Sequence, residues 1–277
     1  MLEFAALKRR GEKIAMVTAY DAPSARLADA AGMDCILVGD SAAMTVLGRE
    51  STVSATMDEM LMLTRAVVGG ARRAIVIADM PFGSYQVSDD DAVRNAIRLI
   101  KDAGADAVKL EGAGPSSSRV AAIVDAGIPV MGHVGLTPQT ATRLGGYKVQ
   151  GRTAAQAERL RRDAVELERS GCFAIVLEAI PATAARRISE AVTIPTIGIG
   201  AGVDCDGQVL VWHDLLGLSD RHVARFVKQY ANIGDDILTA LARFVSDVRT
   251  SSFPEPRHTY SMSEHERQAE SQTPELA

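Results

Sequence analysis

The chain has 277 residues, 47% hydrophobic and 23% charged, with a net charge of −5. That length suits one large core or two small ones, and the negative balance argues against a nucleic-acid or anionic-membrane surface. No apolar run reaches the roughly 18 residues of a membrane span, and the opening MLEFAALKRRGEK has no apolar stretch followed by a cleavage site, so no secretion signal is expected.

In chain order, short runs rich in Val, Ile and Ala alternate with amphipathic stretches. The pattern predicts strand Ile14–Thr18, helix Pro23–Ala31, strand Cys35–Gly39, helix Met57–Gly69, strand Ala74–Asp79 and helix Asp89–Ala103. It continues with strand Ala107–Glu111, helix Ser116–Ala126, strand Pro129–His133, helix Ala154–Ser170, strand Ala174–Glu178 and helix Ala182–Ala191. Strands Thr196–Gly198 and Val209–Trp212 follow, then helices Asp220–Tyr230 and Asp235–Arg249. Runs apolar on both faces are what parallel strands need when helices cover them. Eight such alternations in about 250 residues predict an α/β fold, a (β/α)8 TIM barrel, over the competing doubly wound sheet. Residues 1–250 are expected to form this single domain. Residues 251–277 turn polar, with Pro254, Pro256 and Pro274, and read as a mobile tail. Three widely spaced cysteines, Cys35, Cys172 and Cys205, fit neither a disulfide framework nor a zinc cluster. They point to a reducing cytoplasm and to inert thiols.

The informative feature is where polar residues fall. Asp40, Asp79, Glu111, His133 and Glu178 close the second to sixth runs. In a barrel those ends converge on one mouth. A single Asp after a strand is ordinarily a helix cap, but five consecutive strands each delivering an ionisable group are hard to explain by capping. Asp40, Asp79 and Glu111 come from adjacent strands and would repel one another unless a cation or protons intervened. An all-oxygen set favours Mg2+ first and Mn2+ second, and disfavours zinc. Such a cation could chelate the carboxylate and carbonyl oxygens of an oxo-acid and acidify the neighbouring C–H. Lys109, two residues before Glu111, faces the same interior and serves either a structural ion pair or a substrate carboxylate. His133 is either a satisfied core histidine or a hydrogen-bond donor to substrate. Glu178, away from the trio, is the candidate general base. The Ile197–Gly202 stretch resembles a phosphate-binding loop or serves only a tight turn, and Gly145–Arg152 suits a lid, a cosubstrate loop or a solvated loop.

With those motifs together, the chain resembles the ketopantoate hydroxymethyltransferase family from about Gly11 to about His258. The resemblance is carried by Thr18-Ala-Tyr-Asp21, Val38-Gly-Asp-Ser41, Asp79-Met-Pro-Phe82 and Val108-Lys-Leu-Glu-Gly112. Further motifs are Gly132-His-Val-Gly-Leu-Thr-Pro-Gln139, Gly145-Gly-Tyr-Lys-Val-Gln-Gly-Arg152, Leu177-Glu-Ala-Ile-Pro181, Ile197-Gly-Ile-Gly-Ala-Gly202 and Asp206-Gly-Gln-Val-Leu-Val211. It implies a barrel of the phosphoenolpyruvate/pyruvate-binding type. It implies transfer of a hydroxymethyl group from 5,10-methylenetetrahydrofolate to 3-methyl-2-oxobutanoate, giving 2-dehydropantoate in pantothenate biosynthesis, through a metal-stabilised enolate. The implied metal ligands are Asp40, Asp79 and Glu111, with Mg2+ as the ion. The implied substrate contacts are Asp40, Ser41, Asp79 and Lys109, with His133 nearby, and the implied proton acceptor is Glu178. A cytoplasmic homodecamer with no nucleic-acid or membrane partner is the family expectation. Pro115–Ser118 is an unusual start to the fourth helix, where Ser is expected to cap, and the tail beyond His258 extends past many members.

Overall fold

The structure is a computed structural model that describes residues 1–219 and 223–270. It opens with α1 (Leu2–Arg10), a helix absent from the sequence reading. There follow β1 (Ile14–Thr18), α2 (Ala22–Ala30), β2 (Cys35–Val38), α3 (Ala42–Thr45), α4 (Met57–Gly70) and β3 (Ile75–Asp79). Next come α5 (Asp89–Ile97), β4 (Ala107–Lys109), α6 (Pro115–Asp125), β5 (Val130–Gly135), α7 (Ala154–Arg169) and β6 (Ala174–Glu178). Then α8 (Ala182–Ala191), β7 (Thr196–Ile199), β8 (Gly207–Leu210) and α9 (Trp212–Leu215) complete the barrel unit. Strands β1 to β8 pair in parallel with their neighbours, and β8 returns to β1 to close the barrel.

Strand alternation explains the closure. Ile14, Met16, Leu37, Ile77, Met131 and Val176 fill the interior, while Val17, Ile36, Val76, Val108 and Ile175 on the other parity pack under the helices. The interior is plugged at the N-terminal end by α1. Phe4 is 1% exposed and meets Phe173 edge-on, ring centroids 5.6 Å apart. Lys8 seals the same end: its ammonium donates to the carbonyls of Val192 at 3.0 Å and Ile194 at 2.8 Å, and pairs with Asp206 at 3.0 Å.

Local signals set the helix starts. Thr56 with Glu59 and Thr153 with Gln156 form reciprocal caps on α4 and α7. The serines of Pro115–Ser118 do not cap α6. Gly114 takes the cap position and Pro115 the first turn, while Ser116 Oγ donates to the Glu111 carbonyl at 3.0 Å. The helix expected over Asp89–Ala103 is α-helical only to Ile97 and widens to a π-type turn over Arg98–Asp102. The strand expected at Val209–Trp212 begins two residues earlier, at Gly207.

The helix expected over Asp220–Tyr230 requires correction. Its first three residues lie outside the described residues, and Val223–Tyr230 forms no helix. Tertiary contacts hold this stretch instead: the Phe226 ring covers Gly200, leaving no room for a Cβ there, and Tyr230 N–H donates to the Leu215 carbonyl at 2.8 Å. The chain divides into two compact units, Met1–Tyr230 and Ala231–Ala277. The second unit contains α10 (Ile233–Arg249), the helix expected from Asp235, together with α11 (Glu264–Glu270) in the stretch read as a tail. Residues 271–277 lie outside the described residues. Among the described residues no helix is long and apolar enough to cross a membrane.

Candidate active site

The C-terminal ends of β2 to β6 gather the ionisable residues expected there. Inward parity carries Ile77 to Asp79, Ala107 to Lys109, Met131 to His133 and Val176 to Glu178. Asp79 and Lys109 are register partners on β3 and β4, so their side chains meet at 2.8 Å, both about 5% exposed. Glu111 lies just past β4. Asp40 does not follow from alternation: Gly39 holds the inward position, and Asp40 enters the mouth through the turn after β2. A Cβ on Gly39 would lie 2.6 Å from Ser41 Oγ and 3.6 Å from Asp79 Oδ2. The Asp40 N–H donates to Asp79 Oδ2 at 3.0 Å.

His133 sits mid-strand and links the two halves of the mouth. Its Nδ1 is 3.6 Å from Glu111 Oε1 and 3.5 Å from Lys109 Nζ, and its Nε2 is 3.2 Å from Glu178 Oε2. Burial and Lys109 push its pKa down, but the neighbouring Glu111 and Glu178 carboxylates outweigh them and raise it to about 9. Burial also works against the Lys109 ammonium, yet Asp79, Glu111 and Asp40 raise its pKa above the ordinary lysine value. Asp40 is held well above the ordinary carboxylate range, by burial first and then by repulsion from Asp79 and Glu111. Glu178 is the most open of these acids, its side chain 17% exposed. Ser41 lies at the rim and bonds Tyr20 OH at 2.8 Å, which in turn accepts from Thr18 Oγ1 at 2.9 Å.

Two further residues enter this site that the sequence reading did not single out. Gln139 Nε2 donates to Asp40 Oδ2 and to the Met80 carbonyl, each at 2.9 Å, and its backbone N–H donates to Glu111 Oε2 at 3.0 Å. Tyr85 OH donates to Gln139 Oε1 at 2.6 Å and receives the Glu111 N–H at 3.3 Å. Gln139 stands inside a quoted motif, whereas nothing in the local sequence marks Tyr85. Within the Gly145–Arg152 loop, Tyr147 OH points at Met44 Sδ, 3.9 Å away. The Tyr147 phenol pKa is raised by burial and then by Asp40, Glu111 and Glu178.

The family described as ketopantoate hydroxymethyltransferase matches residues 1–256. The chain belongs to that family. A 3-methyl-2-oxobutanoate hydroxymethyltransferase of Moorella thermoacetica is 60% identical over 255 residues, covering 92% of this chain and 95% of the relative. The enzyme of that name from Thermobifida fusca is 53% identical over 258 residues, covering 93% and 92%. The chain is accordingly an enzyme of the hydroxymethyltransferase class. Among solved structures, phosphonopyruvate hydrolase in complex with oxalate and Mg2+ is similar with a TM-score of 0.59 at 14% identity, covering 96% of this chain and 95% of that one. A 2,3-dimethylmalate lyase of the PEP mutase/isocitrate lyase superfamily is similar with a TM-score of 0.58 at 14% identity, covering 98% and 97%. Those two likenesses establish the fold alone, a (β/α)8 barrel.

In this hydroxymethyltransferase-family site the carboxylate trio is a candidate cation site that is not drawn closed. Among the described residues no three His, Cys, Asp or Glu side chains are gathered tightly enough to hold a metal as they stand. The donor chemistry nevertheless suits a hard ion. Carboxylates outnumber the two buried bases, and one oxygen each of Asp40, Asp79 and Glu111 is held by a neutral N–H, leaving the second to turn elsewhere. Asp79 Oδ1 is near Lys109 and His133 Nε2 is near Glu178, yet both atoms lack an aligned hydrogen bond. Such orphaned buried atoms are what a bound ion and substrate would address. A cleft of about 510 Å3 between α7 and α8, with Arg152, Arg186 and Arg187 in its wall, contains none of these groups. The three cysteines are buried, and burial lifts the Cys172 thiol to about 12 and Cys205 to about 11, consistent with inert thiols.

Proposed function

We propose that the chain transfers a hydroxymethyl group from 5,10-methylenetetrahydrofolate to 3-methyl-2-oxobutanoate, forming 2-dehydropantoate in pantothenate biosynthesis. The relatives' name supplies the acceptor, and the site supplies the division of labour. The observation that carries the reading is the placement of Glu178 across His133 from the carboxylate trio, 3.2 Å from the imidazole. The candidate base and the Glu111 end of the candidate cation site thus lie against opposite nitrogens of the buried His133 ring.

Asp40, Asp79 and Glu111 are the residues that would hold a divalent cation, Mg2+ before Mn2+. When bound, that ion supplies Lewis-acid polarisation of the 2-oxo group and so acidifies the C3 hydrogen. Lys109 Nζ, held by Asp79, is placed to receive the substrate carboxylate, and Ser41 Oγ offers a second polar contact at the rim. Glu178 takes the C3 proton onto a carboxylate oxygen, and His133 Nε2, 3.2 Å from Glu178 Oε2, positions that carboxylate beforehand. Carbon C3 then forms its new bond to the one-carbon unit while that unit's bonds to folate N5 and N10 break; water supplies the hydroxyl, and its second proton together with the C3 proton ends on the two folate nitrogens. A cytoplasmic homo-oligomer, a decamer as in the family expectation, completes the reading.

The test is an assay of 2-dehydropantoate formation with and without methylenetetrahydrofolate and Mg2+, run beside exchange of the C3 hydrogen into deuterium oxide. Product should require all components. Glu178→Gln should abolish exchange while leaving oxo-acid binding within about threefold, since the amide preserves shape but cannot accept the proton. Undiminished exchange in that variant removes Glu178 from the base role.

A further inference from the structure

We propose that Gln139, braced by Tyr85, is the residue that spaces Asp40 and Glu111 for the divalent cation. This rests on the metal reading of the trio. Asp40 follows β2 and Glu111 follows β4, with β3 between them, so the two residues lie beyond the paired positions and no direct strand pairing sets their side chains against each other. Gln139, from the turn after β5, reaches both. Its side-chain amide donates to Asp40 Oδ2 at 2.9 Å and its backbone N–H to Glu111 Oε2 at 3.0 Å. The second amide hydrogen goes to the carbonyl of Met80, just past β3, at 2.9 Å. One residue therefore ties the ends of three successive strands.

The orientation of this amide is determined. Turning it over would set Oε1 against the Asp40 carboxylate and the Met80 carbonyl, all acceptors, and would leave both amide hydrogens without those partners. Tyr85 enforces the choice by donating to Oε1 at 2.6 Å, and it is itself held because its OH takes the Glu111 N–H. Arg119 Nε donates to the Tyr85 carbonyl at 3.2 Å and fixes that segment from outside. Gln139 and Tyr85 are 4% and 2% exposed, so water does not compete for these bonds. The chemistry of the clamp matters as much as its reach. A lysine or arginine at this position would neutralise Asp40 and rival the cation. A neutral amide orients one oxygen of each acid and leaves their charge available. Outer partners of this kind typically change metal affinity 10–100-fold when removed.

The experiment measures Mn2+ affinity of the full-length protein by EPR titration, with the melting temperature of the metal-free protein and kcat at saturating Mn2+ alongside. Gln139→Leu keeps the volume and deletes the donors. It should weaken Mn2+ binding about 10–100-fold, and excess Mn2+ should return most of kcat. Tyr85→Phe removes one hydroxyl and should weaken binding several-fold with little change in melting. If Gln139→Leu does not fold, Tyr85→Phe decides alone. Mn2+ affinity within twofold of wild type in the folded variants, with only the melting temperature lowered, overturns the role and leaves the metal reading intact. Wild-type protein that binds no Mn2+ overturns both.

Discussion

Replacing Lys109 by Met tests how the mouth is balanced. The ammonium pairs with Asp79 at 2.8 Å, and both side chains are about 5% exposed, so solvent screens this contact little. Methionine fills the stem without the charge. Breaking a buried pair by deleting one partner costs about 3–5 kcal/mol, because the remaining charge stays desolvated. Here Asp40 also loses a neighbour that favours its ionised form, which puts the expectation at the upper end. Because the Lys109 pKa is raised, its stabilising contribution is fully present below the ordinary lysine value, so the lysine itself adds no slope between pH 5 and 8. The variant's slope comes from the acids. Asp40 already sits above the ordinary carboxylate range, and losing Lys109 lifts it further. A raised acid destabilises the fold while ionised and is relieved as pH falls. Urea unfolding of metal-free Lys109→Met should therefore show a gap from wild type that narrows from pH 8 to pH 5. Saturating Mg2+ should narrow it as well, by lending positive charge to the same carboxylates. A gap below about 1 kcal/mol at pH 8, the range of an exposed pair, would refute the buried-pair reasoning. So would a gap that widens with Mg2+.

Phe4→Ala opens the N-terminal end of the barrel and should cost about 3–5 kcal/mol in urea unfolding, with kcat/KM per folded molecule unchanged because the plug is remote from the mouth. Gly39→Ala forces a Cβ to within 2.6 Å of Ser41 Oγ and should lower kcat/KM about 10–100-fold in a steady-state assay by displacing Asp40. Glu59, hydrogen-bonded by Arg49 and capping α4 through Thr56, has its pKa pulled from 4.5 to about 2. A depressed acid stabilises above its unfolded value and loses that contribution as pH falls, so the melting deficit of Glu59→Gln should be full at pH 7 and shrink between pH 4 and pH 2. A constant deficit over that range would count against the pairing.

The parts of this molecule legible in its sequence are those whose cause is local or periodic. Barrel strands read out because both faces are buried, and Asp79, Lys109, His133 and Glu178 read out because period-two alternation continues past the apolar residues that fill the interior. Asp40 reads out as the residue closing the second run; it lies on the outward parity and reaches the mouth through the turn after β2, where its N–H donates to Asp79 Oδ2. The misses have physical causes of another kind. Val223–Tyr230 carries a helical spacing of apolar residues, but the Phe226–Gly200 contact and the Tyr230–Leu215 hydrogen bond hold it otherwise, and neither partner is near in sequence. Helix α1 was passed over because its short run shows little amphipathic contrast, its one strongly buried residue being Phe4. Tyr85 and Gln139 stand 54 residues apart and acquire meaning only when closure of the barrel sets them against each other. Sequence periodicity thus reveals which side chains arrive at the mouth, whereas the hydrogen bonds that set their spacing come from residues with no periodic signature. Transferring the ionisable set to another barrel without Gly39, Tyr85 and Gln139 would deliver the same charges to the mouth without fixing their separation.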